Sequence, residues 1–92
     1  MRPLADIKQD LAANAEALAL DLFGQPTSKT SQQWRFGRKG SLVFNVRGRY
    51  AGRFKSFETD EGGSPLDAIQ FALGTDFKGA VDWARHWLGE TD

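Results

Sequence analysis

The stretch Ser41-Leu42-Val43-Phe44-Asn45-Val46-Arg47-Gly48-Arg49-Tyr50-Ala51-Gly52-Arg53-Phe54-Lys55-Ser56-Phe57-Glu58 decides the fold. From Ser41 to Arg47 it alternates. Leu42, Phe44 and Val46 point one way and Val43, Asn45 and Arg47 the other, which is the two-residue period of a strand with one buried face. Gly48-Arg49-Tyr50-Ala51-Gly52 has the length and the paired glycines of a hairpin connection. Arg53 to Glu58 is the returning strand, and Gly62-Gly63 breaks it. Upstream, Trp34 to Phe36 reads as a further short strand, turned back by Gly37-Arg38-Lys39-Gly40. The centre of the chain is therefore a small antiparallel sheet of about three strands.

Helices flank it. Leu4, Ile7, Leu11, Ala15, Leu18 and Leu22 recur at spacings of three and four, which predicts one amphipathic helix over residues 4–22, stopped by Gly24 and Pro26. Residues 25–33 are polar and without period, as a loop is. Ser64-Pro65 opens a second helix with a good N-cap and a proline at the first helical position, Asp67 stands in its first turn, and Gly74 ends it. Thr75 is expected to cap a third helix over residues 77–88, with Phe77, Ala80, Val81, Ala84, Trp87 and Leu88 as its buried stripe. The fold class is α+β, one domain over residues 1–92, with one N-terminal and two C-terminal helices.

Composition narrows the function. The 92 residues contain no cysteine and one histidine. A disulfide scaffold, a thiolate metal site and a histidine-rich metal site are thereby excluded, and no cofactor is implied. No apolar run approaches the roughly 18 residues of a membrane span, and the N-terminus lacks a leader's apolar core, so the cytoplasm is the default compartment. The net charge is zero, but eight of the twelve Lys and Arg residues lie between Lys29 and Lys55, a segment without one acid. Arg35, Arg38, Lys39, Arg47, Arg49, Arg53 and Lys55 are interleaved there with Trp34, Tyr50 and Phe54. Cations to neutralise phosphates and aromatic faces to stack bases are what a nucleic-acid surface requires. These ten residues are the candidate site, and single-stranded DNA is the expected partner. A solvated sheet face, with long side chains covering apolar strands, would use the same residue types.

Other motifs carry less. Glu58-Thr59-Asp60-Glu61-Gly62-Gly63 offers carboxylates for a hard cation but lacks calcium-loop spacing, and reads as an acidic turn. Gly62-Gly63-Ser64-Pro65 before a helix is either an anion cradle or a plain N-cap. Trp83 and Trp87, four apart, are core or a partner-docking face; a protein-interaction module using that face or the sheet edge is the alternative function. His86 has no catalytic companion in the sequence, and no catalytic constellation can be assembled, so the chain is not expected to be an enzyme by itself.

The stretches Gly40 to Val46, Phe54 to Phe57, Gly62-Gly63-Ser64-Pro65-Leu66-Asp67-Ala68-Ile69 and Phe77-Lys78-Gly79-Ala80-Val81 resemble the N-terminal zinc-ribbon domain of bacterial and phage Toprim-type DNA primases. The resemblance covers roughly residues 30 to 89. It departs at the metal: the positions matching the family's ligands are Ser56 and Thr59 for one cysteine pair and the neighbourhood of Gln32 to Arg35 for the other ligands. The resemblance implies a zinc-free relative, an accessory, template-binding module at the front of a longer primase-like, replication or mobilisation protein. Other domains of such a protein are then further partners, and any catalytic acids lie outside this chain.

Overall fold

The computed structural model describes residues 3–37 and 39–89, so Arg38 lies outside the described residues. In chain order the elements are α1 (Leu4–Ala13), α2 (Ala15–Phe23), β1 (Ser28–Lys29), β2 (Gln33–Phe36), β3 (Leu42–Asn45), β4 (Phe54–Ser56), β5 (Glu61–Gly63), α3 (Pro65–Leu73) and α4 (Phe77–Trp87). The strands form one antiparallel sheet in the order β1-β2-β3-β4-β5. The α+β class and the central antiparallel sheet agree with the sequence reading. The sheet has five strands rather than about three, and the described residues form four helices rather than three.

Two of those differences have simple causes. The single helix expected over residues 4–22 is interrupted at Asn14, whose φ is −114° and ψ 32°. Its side-chain Nδ2 donates to the Asp10 carbonyl at 2.8 Å, the competition with main-chain bonding that makes asparagine poor inside helices. The apolar stripe survives the break, so Ile7, Leu11, Ala15 and Leu18 are all buried. The two extra strands are the sheet's edges, of two and three residues. Ser28 and Lys29 pair with Arg35 and Trp34 inside the segment expected to be loop. Gly62-Gly63 does not break the sheet but pairs with Lys55 and Phe54.

The register sorts the faces. Trp34, Phe44 and Phe54 stand side by side across β2, β3 and β4, as do Phe36, Leu42 and Ser56 in the next row. This face packs on the helices, and Trp34, Phe36, Phe44 and Phe54 share one core with Ile7, Leu11, Leu18, Leu66 and Ile69. Phe23 closes it, its ring 5.5 Å from Phe36 and 5.9 Å from Phe44. Burying each large side chain of this kind stabilises the fold by about 1.5–3 kcal/mol.

The C-terminal helices cap themselves. Ser64 and Asp67 form a reciprocal capping box at the start of α3: Ser64 N–H donates to Asp67 Oδ2 at 2.9 Å, and Asp67 N–H to Ser64 Oγ at 3.4 Å. For α4 the N-cap is Asp76, not Thr75, its Oδ1 accepting from Gly79 N–H at 2.8 Å. Phe77, expected in the buried stripe, is exposed; Ala80 and Ala84 carry the buried face. Trp83 and Trp87 stack with centroids 5.8 Å apart and pack against the core, and the Trp87 indole N–H donates to Asp21 on α2 at 2.6 Å.

Candidate nucleic-acid interface

The face of the sheet turned away from the helices carries the basic residues. One row runs Ser28, Arg35, Val43, Lys55 and Gly62 across all five strands. Val43 lies on this open face yet is only 5% exposed, and it does not belong to the core cluster. Its ladder neighbours on either side are Arg35 and Lys55. Lys55 also spreads across the edge, its Cδ within 3.3 Å of where a Cβ on Gly62 would stand. The Arg35 guanidinium turns toward the β2–β3 turn and donates to the Gly40 carbonyl at 3.0 Å.

The β3–β4 connection holds the rest. Gly52 N–H donates to Asn45 O at 2.7 Å, Ala51 N–H to Gly48 O at 3.2 Å, and Arg53 N–H to Tyr50 O at 3.0 Å, so the hairpin is stitched by its own main chain. Gly52 has a φ of +89°, and a Cβ there would stand 2.6 Å from Pro65 Cγ on α3. The base of the hairpin is thus pressed against the helices, and only glycine fits the approach. At the tip, Tyr50 is 55% exposed. The guanidinium carbons of Arg49 and Arg53 lie 5.9 and 5.7 Å from its ring centroid, within cation–π range.

Not every expected contact residue is accessible. Trp34 is 6% exposed and Phe54 5%, both in the core, so neither offers a ring to a base. Lys29 Nζ covers what Trp34 shows, 4.4 Å from its centroid. Of the three expected stacking residues, Tyr50 alone presents its ring to solvent. Among the cations, Arg35, Lys39, Arg47, Arg49 and Arg53 are exposed, Lys55 is half-buried, and Arg38 lies outside the described residues.

Two of the cations are partnered by acids from outside the basic segment, which the sequence reading missed. Arg47 reaches back to α2, its Nε and Nη2 at 3.0 and 2.9 Å from Glu16 Oε2. Lys55 Nζ lies 2.6 Å from Asp60 Oδ1 in the β4–β5 turn. The Lys55 hydrogen bond and charge hold the Asp60 carboxyl below its ordinary value. Both pairs are solvent-exposed and contribute little to stability, but they neutralise two of the seven expected phosphate contacts. Among the described residues, Arg35, Lys39, Arg49 and Arg53 form no ion pair with a carboxylate.

The remaining motifs resolve simply. The N-terminus of α3 is occupied by its own Asp67, with Glu61 nearby in the same cleft, which makes it an N-cap and not an anion cradle. Among the described residues no three His, Asp or Glu side chains converge to hold a metal ion. Ser56 and Thr59, the positions matching a cysteine pair in the resemblance, are joined by the Thr59 N–H donating to Ser56 Oγ at 3.4 Å. No described helix is long and apolar enough to cross a membrane. Compared with family models, curated proteins and solved structures, the chain gives no match.

Proposed function

We propose that this domain binds single-stranded nucleic acid, DNA foremost, through the open face of the sheet and the tip of the β3–β4 hairpin, and that it catalyses no reaction itself. The observation that carries the reading is the hairpin tip: an exposed tyrosine between two arginines that form no ion pair with a carboxylate among the described residues. An unpaired base stacks on an aromatic ring, and flanking cations take the adjoining phosphates. A solvated sheet face would not need an aromatic ring held out among like charges, whose mutual repulsion costs free energy. Arg35 and Lys39 extend the same positive surface along β2 and its turn, and Lys55 becomes available when a phosphate displaces Asp60.

On the primase resemblance, such a surface would engage template on behalf of a longer replication or mobilisation protein. The Trp83/Trp87 pair supports the protein-docking alternative poorly, because both rings are half-buried and one is hydrogen-bonded to α2. The test is a fluorescence-anisotropy titration of labelled single-stranded DNA, duplex DNA and single-stranded RNA at low ionic strength. Salt-sensitive binding that favours single strands and is weakened by Tyr50→Ala supports the reading. Absence of binding to all three oligonucleotides overturns it and leaves protein docking in its place.

A further inference from the structure

Two exposed rings bracket β4. Tyr50 stands in the connection before it, and Phe57 follows it directly, 62% exposed. The Phe57 N–H donates to the Ser41 carbonyl at 2.8 Å, which carries the β3–β4 ladder one pair beyond Leu42 and Ser56. Ser56 is buried on the core side, so alternation returns Phe57 to the open face, where Lys55 lies. The side chains agree with that placement: Lys55 Nζ is 5.9 Å from the Phe57 ring centroid. At the other end of β4, the Arg53 guanidinium reaches the Tyr50 ring. The open side of β4 thus presents ring, cation, cation and ring in line. The carboxylates beside Phe57 are engaged within the sheet and its turn, Asp60 by Lys55 and Glu58 by the Ser41 hydroxyl, which donates to its Oε1 at 3.0 Å. A single exposed apolar residue is ordinary on a protein surface, and Phe77 on α4 is one. Phe57 differs in its company, because it shares a strand with a second exposed ring and cations stand between the two.

We infer that Phe57 is a second base-stacking platform, and that a single strand runs along β4 with one base on Tyr50, another on Phe57, and the phosphates between them on Arg53 and Lys55. Every base has a π-face, so two such platforms hold a strand without reading its sequence. From Arg53 to Phe57 the strand advances about 13 Å. Nucleotides rising about 3.4 Å each cover that distance in roughly four steps. The inference rests on the nucleic-acid reading above and adds to it a second contact and the path of the ligand.

The experiment titrates a labelled single strand of about 12 nucleotides by anisotropy. The proteins are the wild-type chain, Phe57→Ala, Phe57→Trp, Tyr50→Ala, the Tyr50→Ala/Phe57→Ala double variant and, as an exposed ring elsewhere, Phe77→Ala, each checked for an unchanged thermal midpoint. Phe57→Ala is expected to weaken binding at least about 5-fold while the salt dependence stays the same, because a ring and not a cation is lost. Phe57→Trp binds as tightly as the wild type or more tightly, and Phe77→Ala has no effect. With Arg53 and Lys55 between the rings, the double variant loses the product of the two single factors. Wild-type affinity in Phe57→Ala, an equal loss in Phe77→Ala, failure of Phe57→Trp to retain binding, or a double variant no weaker than Tyr50→Ala overturns the inference. The nucleic-acid reading then still stands on the loss in Tyr50→Ala. Failure of the wild type to bind the strand overturns both.

Discussion

The division of the basic residues into paired and unpaired groups has a measurable consequence in salt. A protein cation that neutralises a phosphate releases condensed counterions, and for single strands the logarithm of the binding constant falls by about 0.7 per contact for each tenfold rise in salt. Arg35, Lys39, Arg49 and Arg53 have no carboxylate partner among the described residues, whereas Arg47 and Lys55 are held by Glu16 and Asp60. Four effective contacts give a slope of about −2.8, so affinity should drop roughly 50-fold between about 50 and 200 mM salt. Binding through Lys55 must first separate it from Asp60, and the freed carboxylate recruits a cation, which cancels the release. Asp60→Asn removes that cancellation. It should steepen the slope by about 0.7, to roughly −3.5, and tighten binding at low salt. Arg53→Ala should make the slope shallower by the same increment, and Arg47→Ala should change it less, since Arg47 begins paired. The assay is anisotropy with a labelled single strand over a series of salt concentrations. A slope near zero refutes the electrostatic reading. Equal effects of Arg47→Ala and Arg53→Ala, with none from Asp60→Asn, refute the claim that internal ion pairs set which cations count.

Three further outcomes concern the fold and its chemistry. Phe44→Ala removes a fully buried ring at the meeting of the sheet and Phe23 and should cost about 3–5 kcal/mol in urea unfolding, around half of the roughly 5–10 kcal/mol available to a domain this size. Ser64→Ala opens the capping box of α3 and should lower stability by about 1 kcal/mol on the same assay. The Asp60 carboxyl is held below its ordinary value of 3.8 by Lys55, so the stabilisation from this pair is fully present above that value and is lost as pH falls through the lower folded value. The urea midpoints of wild type and Asp60→Asn should therefore converge in acid.

The parts of the fold that were legible are those where local signals and tertiary packing agree. Ser64-Pro65, Asp67 and Gly74 each act within a turn of their own backbone, and α3 forms where they point. The alternation through Leu42, Phe44 and Val46 likewise named the face that the core covers. Strands β1 and β5 left no such trace. Ser28-Lys29 and Glu61-Gly62-Gly63 have no apolar alternation, and they are strands only because β2 and β4 offer them unpaired main-chain groups. Asn14 left a trace that the apolar spacing overrode, because a one-residue break preserves the stripe while ending the helix.

The candidate site was legible as a composition and not as a geometry, and the reason is register. Alternation tells which residues of one strand share a face; it does not tell which residues of two strands stand opposite. Once Phe44 turns to the helices, its partners Trp34 and Phe54 must follow, because side chains directly opposite in an antiparallel pair lie on the same face. That removes two aromatic rings from the proposed interface. Tyr50 escapes the constraint because it belongs to the hairpin connection, where pairing has ended. The same register carries Gln33 beside Asn45 and Arg35 and Lys55 to either side of Val43, bringing amides and cations together from segments separated by a dozen residues or more. Glu16 lies 31 residues from Arg47, and only the packing of α2 against the sheet's margin reveals that one of the most prominent cations in the basic segment is already paired.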